Sequence, residues 1–199
     1  MLKRAIIVAL ALAAAGCFNE PTPASATVPE GARLYLQDGA LRDLSSCREL
    51  LKPDLVDYMN LDRNELEEFP AELTTLTGLK WLRLNGNRLS SLPDLSPLVN
   101  LRRIYLKGNR FTEVPEALKS LPSLTDVDLS QNPIAEVPAW MTEIKGLENV
   151  SFSDTRVTKL PEDLSGWRRL TTLQLGGLKM SAEEMARIRM SLPKVTIVF

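Results

Sequence analysis

The chain has 199 residues, 24 basic and 25 acidic, for a formal net charge of −1, and it contains no histidine. A near-neutral charge gives no electrostatic footprint for nucleic acid, and the lack of histidine removes the commonest general base and metal ligand. No phosphate-cradling glycine loop, zinc spacing or serine-hydrolase elbow occurs, so the composition points away from an enzyme and from any metal or cofactor.

In chain order, Met1-Leu2-Lys3-Arg4 is a basic start and Ala5 to Ala15 an apolar run. Eleven residues are too few to span a bilayer, which needs about 20. The run ends in Ala14-Ala15-Gly16-Cys17. The order is that of a secretory leader. With a cysteine directly after the small residues, it resembles a bacterial lipoprotein signal at residues 1–16. That resemblance implies cleavage before Cys17 and lipidation of Cys17. Ala14 departs from it, since leucine is commoner three residues before the cysteine. The alternative is an ordinary secretory signal with an unrelated cysteine. Phe18, rather than aspartate, follows Cys17, and in a Gram-negative host the resemblance then implies the outer membrane of the cell envelope. Residues 17–30 hold Pro21, Pro23 and Pro29 among Thr, Ala and Ser, the composition of an extended tether.

Residues 31–54 read as an N-terminal cap. Leu34, Leu36, Gly39 and Leu41 outline a degenerate first turn, and Ser46-Cys47-Arg48-Glu49 reads as a capping box that opens a short helix. If Cys17 carries lipid, Cys47 has no intramolecular partner. It reads as a buried small apolar residue or as a reactive thiol, which no histidine could activate.

Residues 55–180 repeat one pattern. Leu79, Leu82, Leu84, Asn87, Leu89, Leu92 and Pro93 are followed by Leu101, Ile104, Leu106, Asn109, Phe111, Val114 and Pro115. Copies also start at Val56, Leu124, Leu147 and Leu170, and the asparagine position falls at 64, 87, 109, 132, 155 and 178. This resembles the leucine-rich repeat family, whose period is 20–29 residues. The resemblance implies an α/β solenoid, a horseshoe arc with a concave parallel sheet of about eight strands, both end strands included. Strand alternation puts the L-x-L leucines inward. Asn64, Asn87, Asn109 and Asn132 both donate and accept, so they suit backbone groups where the chain leaves each strand. Thr155 can do part of that work and Leu178 none, so the sixth turn is expected to be irregular. The apolar residues after each L-P pair fall in steps of three and predict a short helical or irregular convex wall, extended where Pro93 and Pro97 stand. Trp167 reads as core.

Residues 181–199 form the C-terminal cap. Ser181-Ala182-Glu183-Glu184 is a second capping box, opening a helix with Met185, Ile188 and Leu192 on one face. A last strand runs from Lys194 to Phe199, with Val195 and Ile197 inward.

Alternation also writes out the concave face as rows. The first row is Arg33, Tyr58, Trp81, Arg103, Asp126, Asn149, Thr172 and Lys194. The second is Tyr35, Asn60, Arg83, Tyr105, Asp128, Ser151, Gln174 and Thr196. Tyr35, Tyr58, Trp81, Arg83, Arg103 and Tyr105 form the candidate partner-binding patch, because Trp, Tyr and Arg dominate interface hot spots. The competing reading is a self-satisfied ladder, with Arg103 stacked on Trp81 and paired with Asp126. The functional expectation is a monomeric, lipid-anchored module that binds or scaffolds a protein or glycan. The alternatives are a structural spacer and a secreted effector.

Overall fold

The computed structural model describes residues 7–9, 28 and 30–199. Cys17 and the tether, apart from residues 28 and 30, lie outside the described residues. Among the described residues one open, all-parallel sheet carries nine strands in chain order. They are β1 (Ile7–Ala9), β2 (Ala32–Tyr35), β3 (Val56–Asn60), β4 (Trp81–Arg83), β5 (Arg103–Tyr105), β6 (Asp126–Asp128), β7 (Asn149–Ser151), β8 (Thr172–Gln174) and β9 (Thr196–Val198). Strands β2 to β9 are the eight expected; the additional β1 falls in the stretch read as a leader. The inward residues Leu34, Met59, Leu82, Ile104, Val127, Val150 and Leu173 all belong to one core. A single 23-residue turn cannot cover its own leucines, so each turn uses its neighbours.

The asparagines bind successive turns together. Asn87 Nδ2 donates to Leu84 O in its own turn and to Leu61 O in the preceding one, at 3.0 and 2.9 Å, while its Oδ1 accepts from Leu66 N. Asn109 and Asn132 repeat these contacts. Asn64 does the same for the degenerate first turn, accepting from Gly39 N and Leu41 N and donating to Leu36 O. Thr155 Oγ1 donates to Phe152 O and accepts from Val157 N, both in its own turn, so the side-chain bridging between turns ends at Asn132. At the sixth turn Gly177 adopts φ +75° and Leu178 N closes a tight turn on Leu175 O.

On the convex side, Pro70, Pro115 and Pro138 each lead into one 3-10 turn, at Ala71–Thr75, Glu116–Ser120 and Ala139–Glu143. Proline at the entrance pre-sets φ and gives up no needed donor. The wall that carries Pro93 and Pro97 has no helix, as expected. There Asp94 Oδ1 accepts from Ser96 N, and Asp163 does the same for Ser165 in the wall after Pro161. These short aspartate turns compete with helix formation. Trp167 is buried, and its Nε1 donates to Met141 O at 2.9 Å.

Both caps differ in part from expectation. The first cap helix is a 3-10 segment at Ser45–Leu50, and Ser46 does not cap it. The N-cap position falls to Leu44, which has no side-chain bond to give, while Asp43 just before it accepts from Ser45 N and Ser45 Oγ in an aspartate turn. Cys47 is buried in this segment. The C-terminal helix α1 (Ala182–Ser191) starts where expected, with Ser181 Oγ accepting from Glu184 N. Glu184 does not return the bond. Its carboxylate accepts from Leu160 N and pairs with Arg187, which also donates to Leu160 O and Pro161 O. In β9 the register is two residues later than expected: Thr172 faces Thr196, not Lys194, and Gln174 faces Val198. Val195 N still closes a turn on Leu192 O at the helix end, so Pro193 and Lys194 are spent on that turn.

Candidate functional site

Strand register places the six candidate residues side by side. Tyr58 faces Trp81, Trp81 faces Arg103, and Arg83 faces Tyr105, each pair on adjacent strands. Neighbouring strands lie about 4.8 Å apart, so rings this large must touch. The Tyr35 and Tyr58 centroids are 5.2 Å apart, Tyr58 meets Trp81 edge-on at 5.2 Å, and Trp81 lies 6.0 Å from Tyr105. The cations sit over these rings. Arg33 lies 4.6 Å from the Tyr58 centroid, Arg103 4.8 Å from that of Trp81 and Arg83 5.6 Å from that of Tyr105.

Crowding hides part of the patch. Tyr58 is only 7% exposed, so it braces Trp81 and Tyr35 more than it presents a surface. Burial pushes the Tyr58 and Tyr105 hydroxyls above the usual tyrosine range, so both stay protonated donors at neutral pH.

The two arginine clamps are unequal. Asp62, 2% exposed, accepts from Arg83 Nε at 2.7 Å and from Asn85 N. That pair is charge-assisted, well aligned and fixed. Asp126 stands 3.6 Å from Arg103 Nε, which is outside hydrogen-bond range. Its carboxylate instead accepts from Thr125 Oγ1 at 2.6 Å and Asn149 Nδ2 at 3.0 Å. Among the described residues Arg33 and Lys107, on the same face, join no ion pair. From β6 onward the face turns polar and acidic, with Asp126, Asp128, Asn149 and Gln174. Asp62 was missing from the candidates, and Asp126 stood among them only as the partner of Arg103 in the ladder reading; the signal for both was the register, which sets each one strand from an arginine.

Residues 77–134 match the family model described as Leucine rich repeat. The chain has the leucine-rich repeat fold. A leucine-rich repeat protein of Leptospira interrogans is similar at 29% identity and a TM-score of 0.74, over 84% of this chain and 43% of that one. An internalin from Listeria monocytogenes is similar at 18% identity and a TM-score of 0.68, over 84% of this chain and 54% of that one. The chain thus spans about half the length of these solved leucine-rich repeat structures. No curated protein matches it. Leucine-rich repeat proteins commonly mediate protein binding.

Proposed function

We propose that this leucine-rich repeat protein is held in a bacterial envelope, at the outer membrane, by lipid on Cys17 and binds a protein partner on its concave face. The observation that carries the reading is the patch of Trp81, Tyr35, Tyr105, Arg83 and Arg103, gathered on adjacent strands of a rigid sheet. Rings already packed on one another lose little freedom when a partner docks, which favours affinity. A spacer with no dedicated ligand is the second reading. Its support is that Arg103 already stacks on Trp81 and stands beside Asp126.

Capture from cross-linked envelopes separates the two. Trp81→Ala with Arg103→Ala should lose the partner, about thirtyfold or more in affinity for a hot-spot residue, with the circular dichroism spectrum unchanged. The control is Thr172→Ala with Gln174→Ala, on the same face. Asn149 is a poor control, because it holds Asp126. Equal retention of the partner by both double variants would make the patch a ladder and favour the spacer. For the anchor, labelled fatty acid should appear on the wild-type chain and vanish in Cys17→Ser.

A further inference from the structure

The concave face holds donors that have nothing to donate to. Trp81 Nε1 is buried and finds no acceptor among the described residues. A buried indole N–H left unpaired is costly, and native proteins keep few such groups. Arg103 lies over the same ring at 4.8 Å. Its guanidinium, with five N–H donors, reaches Asp126 only at 3.6 Å. Asp126 is already engaged by Thr125 and Asn149, so it has little reason to move toward Arg103. Lys107 lies on the same side of the sheet, free of any ion pair among the described residues. Arg83, by contrast, is committed to Asp62.

From this the geometry points to a carboxylate-reading site: a protein partner presents an Asp or Glu side chain that accepts from Trp81 Nε1 and from Arg103. This rests on the concave-face reading above and names the chemistry of the partner. Arg103 is the movable member. It is 45% exposed and hydrogen-bonded to no acid, so it can swing off the ring, uncover the indole N–H and close on the incoming carboxylate. Planar guanidinium pairs well with carboxylate. An acidic sugar would offer the same group. The stacking favours protein, because a sugar ring needs a bare aromatic face, whereas Trp81 stays flanked by Tyr58 and Tyr105 when Arg103 moves.

The test uses the full chain and random dodecapeptides displayed on phage. Selected peptides should be enriched in Asp and Glu. Changing the key Glu of such a peptide to Gln should weaken binding by about tenfold or more, the worth of a hydrogen bond to a charged group. Trp81→Phe, which keeps a ring but removes the N–H, should weaken it comparably, as should the exposed change Arg103→Gln. Thr172→Ala should change nothing. Neutral peptides, or full binding by folded Trp81→Phe and Arg103→Gln, overturn the carboxylate assignment. Tighter binding of tetragalacturonate than of any acidic peptide overturns the choice of protein over sugar. If neutral peptides are selected but lost in Trp81→Ala with Arg103→Ala, the concave-face reading survives and only the carboxylate falls. Retention of the envelope partner by that double variant removes the reading itself.

Discussion

At the scale of single residues, the asparagine ladder separates what the fold needs from what it tolerates. Each buried Asn amide satisfies two carbonyls, one of them in the turn before. Asn87→Ala strands those groups at mid-array and should cost about 1–3 kcal/mol in denaturant unfolding. Thr155 stands at the same position but bonds only within its turn. By the spacing of the ladder, an Asn there would reach Leu129 O and Ile134 N. Thr155→Asn should therefore raise stability by about 0.5–1.5 kcal/mol for each bond made. An unchanged or lower urea midpoint would show that the fifth turn no longer has the ladder's geometry. The candidate patch was legible in the same way, up to a limit. Alternation placed Trp81 beside Arg103 and Arg103 beside Asp126. It could not show that Arg103 stacks on the ring while staying 3.6 Å from the acid, nor that Tyr58 is nearly buried. Those facts depend on rotamers and on three side chains competing for one space.

At the scale of elements, α1 is a lid held by one charged pair. Glu184, 8% exposed, accepts from Leu160 N while Arg187 beside it donates to Leu160 O, Pro161 O and Glu162 O. The hydrogen bond from Arg187, aided by that from Leu160 N, outweighs burial and holds the Glu184 carboxyl below the usual carboxylate range. A depressed folded-state pKa contributes stability that is present above the unfolded value and lost as pH falls through the folded one. Glu184→Gln should thus cost about 1–3 kcal/mol at pH 7, and the gap from wild type should shrink toward pH 3. A gap of the same size at both pH values would mean that the carboxylate's charge is idle. The strands β3 to β8 were legible because a period-two pattern recurs at intervals of 22 or 23 residues. The ends were harder to read for physical reasons. The Asp43 turn on Ser45 starts the 3-10 segment one residue early, so Ser46 lies inside it rather than ahead of it. The turn through Pro193 and Lys194 delayed β9 by two residues, because periodicity does not count residues consumed in closing a helix. The pairing of β1 with β2 had no counterpart in the repeat pattern at all.

At the scale of the molecule, a solenoid is a row of turns that each touch only their neighbours, so its weak points are its two ends. The ends differ in what they protect. At the N-terminal end, Ala32, Leu34 and Leu36 share a core with Leu44, Cys47, Val56 and Met59, all within residues 32–59. Removing residues 1–16 takes away the pairing of β1 with β2 and keeps those seven core residues in the chain. At the C-terminal end, Ile188 and Leu192 cover the last turn together with Leu173 and Leu175. Removing residues 181–199 takes both away, at about 1.5–3 kcal/mol for each buried side chain, and leaves an apolar end face open to association. The expected outcome is asymmetric. The chain lacking residues 1–16 should keep the urea midpoint of the full chain and stay monomeric by light scattering. The chain lacking residues 181–199 should unfold at lower urea and associate as its concentration rises. If the first truncation unfolds as early as the second, β1 is a structural strand, and cleavage ahead of Cys17 would dismantle the fold it releases. If the second unfolds where the full chain does, α1 and β9 are appendages, and the fifth and sixth turns cover themselves.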